Sequence, residues 1–98
     1  MTCFFIIKVN LQNKNGYSAL HRAASSGHAD ITSLLIDASA QVDLRDNEGS
    51  TPLHYAALSG QTDVISLLID ANCDVFSQDY NGNTPFDVAD ESVRALFH

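Results

Sequence analysis

The sequence predicts an all-α solenoid in which short helix-turn-helix units, each followed by a β-hairpin-like loop, stack side by side. Three observations carry this reading. Gly16, Gly49 and Gly82 stand 33 residues apart, twice over. Residues 13–45 aligned with 46–78 are identical at 15 of 33 positions. Within each copy, apolar and alanine residues recur at i, i+3 and i+4, the spacing of a buried helix stripe. A fixed period of this length marks a repeat architecture, in which one unit cannot bury its apolar flanks alone and its neighbours must cover them.

The middle copy gives the elements in order. Thr51 before Pro52 reads as an N-cap followed by proline at the first helical position, where its missing N–H costs nothing. Leu53, Ala56 and Ala57 form the buried stripe of that helix, and Gly60 breaks it. A second helix opens at Gln61 or Thr62, with Asp63 in its first turn, where a negative charge complements the helix dipole. Val64, Leu67, Leu68 and Ala71 form its expected apolar stripe. Asn72 follows, and Ser39 holds the same place one copy earlier; both are expected to be left-handed. The chain then runs through Val75 to Asp79-Tyr80-Asn81-Gly82, whose first and fourth residues suit a type I turn. Helices are predicted near 18–26, 29–38, 51–59, 62–71 and 84–97, the last interrupted near 90–92. Small side chains at Ala23, Ala24, Ala56 and Ala57 allow neighbouring helices to approach closely.

The divisions are an N-terminal segment over 1–12 containing the end of an incomplete repeat, repeats over 13–45 and 46–78, and a truncated capping repeat over 79–98. In this last unit Val93, Leu96 and Phe97 are expected to be buried. Near the start, Phe4-Phe5-Ile6-Ile7 fall where Asp37-Ala38-Ser39-Ala40 lie in the next copy. They are expected to fold over the open face of the first repeat, beside Leu20, Ala23, Ile31 and Leu34, in a monomer rather than a homodimer. Pairing with a second chain is the alternative.

Composition narrows the function. The 98 residues are 45% hydrophobic and 17% charged, as in a globular chain. No apolar run approaches the roughly 20 residues of a membrane helix. The net charge is −7, and only five Lys and Arg are present. That balance argues against nucleic acid and anionic membranes as partners. Cys3 and Cys73 form neither a zinc ribbon nor a disulfide framework, which points to a reducing compartment, cytoplasmic or nuclear.

Thr51-Pro52-Leu53-His54-Tyr55-Ala56-Ala57, together with the period, resembles the core motif of ankyrin repeats. Ser18-Ala19-Leu20-His21-Arg22-Ala23-Ala24 is a close variant, and Thr84-Pro85-Phe86-Asp87-Val88-Ala89 a looser one, as in a final repeat. The resemblance covers about residues 9–98. It implies a protein-protein interaction module that docks partners on a concave side made by turn tips and first-helix faces. It also implies that His21 and His54 are structural, each bonded to a Ser or Thr hydroxyl and a loop backbone group. Their repeat spacing, roughly 8–10 Å, is too wide for two ligands of one zinc.

No nucleophile motif, Walker loop or dinucleotide fingerprint is present, and Asp30/Asp63 and Asp37/Asp70 recur as scaffold positions. No catalytic residue, metal site or cofactor is expected. Candidate partner-binding residues are those that differ between copies on the turn tips and first helices: Lys14, Tyr17, Arg22, Arg45, Glu48, Ser50, Tyr55, Leu58 and Tyr80. All three tyrosines fall in this set, a residue type enriched at interface hot spots. Two further readings are a small inhibitor or regulatory subunit of an enzyme, and a fragment or isoform of a longer repeat protein. The opening in mid-repeat favours the latter.

Overall fold

A computed structural model describes residues 9–97, and these contain helices and turns but no strand. Two helix pairs, α1 (Ala19–Ser26) with α2 (Ala29–Asp37) and α3 (Pro52–Ser59) with α4 (Thr62–Asp70), precede a shorter pair. That pair is α5 (Pro85–Val88) and α6 (Glu91–Arg94), continued by a 3₁₀ turn over Ala95–Phe97. The first helices stack in the order α1, α3, α5; α2 lies against α4, and the 3₁₀ turn packs beyond α4. The architecture is the all-α solenoid that the period predicts. The segment Phe4-Phe5-Ile6-Ile7, Cys3 and His98 lie outside the described residues.

The first helix of each pair begins by one device, used three times. Ser18, Thr51 and Thr84 are extended, and each hydroxyl accepts from the backbone N–H three residues on. The side chain at that third position answers by accepting from the cap residue's own N–H. This reciprocal box satisfies donors that a helix start otherwise leaves open. In the first two repeats the answering group is the Nδ1 of His21 or His54, and in the third it is the Asp87 carboxylate. Gly27 and Gly60 end α1 and α3 with φ of 76° and 71°. Ser39 and Asn72 stand at φ 71° and 64°, so both left-handed positions are as expected.

The core is built from Leu20, Ala24, Leu53, Ala56, Ala57, Val64, Ile65, Leu68, Cys73, Ala89 and Val93. Two expectations about packing are corrected. Ile65, outside the predicted stripe of α4, is fully buried, whereas Leu67 and Ala71 are only half-buried. The face α4 turns inward is rotated because it is covered by α2 on one side and the C-terminal turn on the other. At the position equivalent to Ile65, Thr32 is also fully buried, and its hydroxyl donates to the His28 carbonyl at 2.8 Å. Ile31 is 48% exposed although its equivalent, Val64, is fully buried. Among the described elements α2 packs chiefly on α4 and α1, so it lacks the second cover that α4 has.

The second correction concerns the cap. Val93 is buried as predicted, but Leu96 is 36% exposed, because the helix tightens to 3₁₀ after Arg94 and leaves the 3.6-residue period. Arg94 closes this end: its Nε donates to the carbonyls of Phe86 and Ala89, and its guanidinium lies 4.9 Å from the Phe86 ring centroid.

Cys73 is buried, and burial, with the Asp43 and Asp74 carboxylates nearby, pushes its thiol up to about 12. With Cys3 replaced by serine, the native protein is expected to react with a disulfide reagent at pH 8 only slowly, and rapidly in denaturant. Fast labelling of the native protein would contradict the buried placement.

Candidate functional site

The turn tips are built alike and are tied to one another. In each, the Gly N–H donates to the carbonyl three residues back: Gly16 to Asn13 at 2.9 Å, Gly49 to Asp46 at 3.0 Å, Gly82 to Asp79 at 3.0 Å. The side-chain oxygen of the first turn residue accepts two further backbone N–H groups. For Asp46 Oδ1 these are Glu48 and Ser50, both at 2.9 Å. Adjacent tips are linked by Asn47 N–H to the Asn15 carbonyl at 3.1 Å and Tyr80 N–H to the Glu48 carbonyl at 3.0 Å. Asn47 Nδ2 also donates to the Lys14 carbonyl at 2.7 Å. The tips therefore form one row with little freedom of its own.

Beneath this row, the two histidines connect repeats. Backbone N–H groups of Ser18 and Thr51 donate to the Nδ1 atoms, so each ring carries its proton on Nε2. His21 Nε2–H donates to the Ser50 carbonyl at 2.9 Å and His54 Nε2–H to the Asn83 carbonyl at 2.8 Å. Both ring nitrogens are occupied, and among the described residues no three His, Cys, Asp or Glu side chains cluster as a metal would need.

Burial lowers the pKa of His21 and outweighs the Ser50 carbonyl and the Asp46 charge, which act in the opposite sense. The unfolded chain therefore takes up a proton near pH 6.5 that the folded chain refuses. Stability from this group is fully present above that pH and is lost as pH falls toward the lower folded value. The slope is at most about 1.4 kcal/mol per pH unit. Urea midpoints should fall between pH 7 and 5, and a flat profile would contradict the assignment.

The expected site residues divide into three groups. Tyr17, Glu48, Tyr55, Leu58 and Tyr80 gather along the turn tips and first helices. The Tyr17 ring stacks on His21 with centroids 5.6 Å apart and meets the Tyr55 ring edge-on at 5.2 Å. The Tyr55 hydroxyl donates to Asp46 Oδ2. Leu58 is 65% and Tyr80 69% exposed, far more than a core residue. Lys14 and Arg22 are exposed at the N-terminal end of this face.

The last group, Ser50 and Arg45, departs from the others. Ser50 is buried, its N–H and carbonyl consumed by Asp46 and His21, so it supports the surface from below. Arg45 is exposed, but its guanidinium donates to the Gln78 carbonyl at 2.8 Å and Ser77 Oγ at 3.2 Å, which makes it a tie between successive loops.

Two open depressions result. One is lined by Asn15, Tyr17, Asp46, Asn47, Glu48 and Tyr55. The other includes Leu58, His54 and Val88, and shares Glu48 and Tyr55 with the first. Asp46, the first residue of the second turn, is the member that the repeat pattern does not single out. Burial would raise its pKa, but hydrogen bonds from Tyr55, Ser50 and Glu48 hold the carboxyl below its ordinary value. A signal was present: the copy with Asp46 has Tyr55 nine residues on, while the copy with Asn13 has Arg22 there.

Comparison with known proteins agrees with this geometry. A family model described as ankyrin repeats in three copies matches residues 2–79 and 41–96. Caskin-1 of Rattus norvegicus and Caskin-1 of Mus musculus are each 50% identical to this chain over 36 residues. That stretch is 37% of this chain and 2% of either relative.

Proposed function

This chain belongs to the ankyrin-repeat family, whose repeats are protein-interaction modules, and from that premise we propose that it binds a partner protein on a rigid concave face. The face comprises the turn tips and the outer sides of α1 and α3. The observation that carries this is the exposure of Leu58 and Tyr80 beside Tyr17 and Tyr55, on elements that the turn-to-turn hydrogen bonds hold in place. A preformed surface loses little conformational entropy on docking, which favours affinity. The buried, free Cys73 suits a reducing compartment, cytoplasmic or nuclear, and we propose a monomer as the working unit.

The test uses the full chain and a partner retrieved with it. Leu58→Ala and Tyr80→Ala should each weaken binding by about 5-fold or more, as truncated hot spots do. Ser66→Ala, on the second-helix side, should change it less than 2-fold. The opposite pattern would move the binding face to the second helices. If the partner is an enzyme, inhibition by the native chain that Leu58→Ala abolishes would identify an inhibitory subunit.

A further inference from the structure

Asp46 is 5% exposed and lines the first depression together with Tyr17 and Tyr55. Its carboxylate is satisfied by neutral donors alone: the Tyr55 hydroxyl and the Glu48 and Ser50 N–H groups. Among the described residues no lysine or arginine pairs with it. The basic group coupled to it, His21, is held neutral by accepting at Nδ1 and by burial. The second carboxylate of the depression, Glu48, is exposed and makes no hydrogen bond with its side chain among the described residues. A charge removed from water without a counter-ion projects its field further than a solvated one, since the surrounding dielectric is lower. Tyrosine π-faces attract cations as well.

The adjoining depression is of another character. It shares Glu48 and Tyr55 and adds Asp79, whose carboxylate already accepts the Asn81 and Asn83 N–H groups, but it also presents Leu58 and Val88, with Leu58 among the most exposed apolar side chains described. Resting on the reading of this face as the docking surface, we propose that the two depressions together receive an extended segment of a partner protein. Its basic side chain enters between Tyr17, Tyr55 and Glu48, and a neighbouring aliphatic side chain lies on Leu58 and Val88. Arginine fits better than lysine, because its planar, weakly hydrated guanidinium stacks on aromatic rings and offers paired donors to a carboxylate. The net charge of −7 draws such a segment in and disfavours acidic competitors.

The probe is a library of random twelve-residue peptides displayed on phage and selected on the full chain at low salt. Enriched peptides should carry Arg or Lys within three positions of Leu, Ile, Val or Met. The leading peptide should bind at least ten-fold more weakly to Glu48→Gln and to Leu58→Ala, lose affinity with added salt, and bind worse when its arginine is replaced by glutamine. Circular dichroism confirms that both variants keep the fold. Peptides that depend on Leu58 but carry no basic residue, or ignore Glu48→Gln, would overturn this inference and leave the docking face standing. Peptides indifferent to both substitutions, or no enrichment at all, would overturn both.

Discussion

Replacing His21 with alanine should lower stability by about 3 kcal/mol, on the order of a third of what a domain of this size has. The side chain is fully buried and joins two repeats. Its Nδ1 satisfies the Ser18 N–H, and its Nε2–H reaches the carbonyl of Ser50, 29 residues away. Alanine keeps the helix but strands the Ser18 N–H. The Ser50 carbonyl retains only its bond from the Asp46 N–H. Two hydrogen bonds at about 1 kcal/mol each, an unsatisfied buried donor and the void left by the ring add to this loss. The cavity also undermines Tyr17, which stacks on the imidazole, and so loosens the proposed docking face. For a chain this short the melting temperature should drop by on the order of 10–20 °C. Arg22→Ala, on the adjacent exposed position, should stay within about 0.5 kcal/mol. A loss below about 1 kcal/mol for His21→Ala would mean that the imidazole does not tie the repeats together.

A second large effect is expected at Gly16, and it should differ from that at Gly82 although the two occupy the same place in their repeats. Both have positive φ, 81° and 84°, so any L side chain meets backbone strain of roughly 1 kcal/mol or somewhat more. Their surroundings differ. A Cβ on Gly16 would stand 2.6 Å from the Asn47 backbone nitrogen and 2.8 Å from the Asp46 Cα, whereas one on Gly82 would have nothing within 4 Å. Backbone of the next turn cannot give way as a flexible side chain can. Gly16→Ala should therefore push the first tip off the second and break the Asn47 to Asn15 bond. The expected costs are about 3 kcal/mol or more for Gly16→Ala and about 1 kcal/mol for Gly82→Ala. Equal losses in urea unfolding would show that strain alone, and not the tip-to-tip contact, makes glycine necessary.

The difference between these glycines shows why part of the site was hidden in the sequence. Period, caps and left-handed helix ends are decided within a few residues by sterics and local hydrogen bonds, so Thr51-Pro52, Gly60, Ser39 and Asn72 could be read directly. The histidine roles were legible through the family motif, and the helix-breaking terminal repeat through its missing residues. The exposed members of the candidate face, Leu58 and Tyr80, were found because the other copies differ there. Ser50 and Arg45 meet the same criterion, yet Ser50 is buried and Arg45 is bonded to the next loop, since variation between copies does not distinguish a residue that faces water from one engaged within the stack.

The sequence by itself determined that this chain is a stack of helix pairs, where each pair begins and ends, and which sides bear the turns. These follow from short-range conformational preference and from a period that makes every unit need a neighbour. Only the tertiary structure decided that Ile65 rather than Leu67 fills the core, that Arg45 is spent on the loop beyond it, and that Asp46 lies buried beside Tyr55 without a counter-ion. Each of these depends on how far one repeat is rotated and shifted against the next, a quantity set by packing among side chains tens of residues apart.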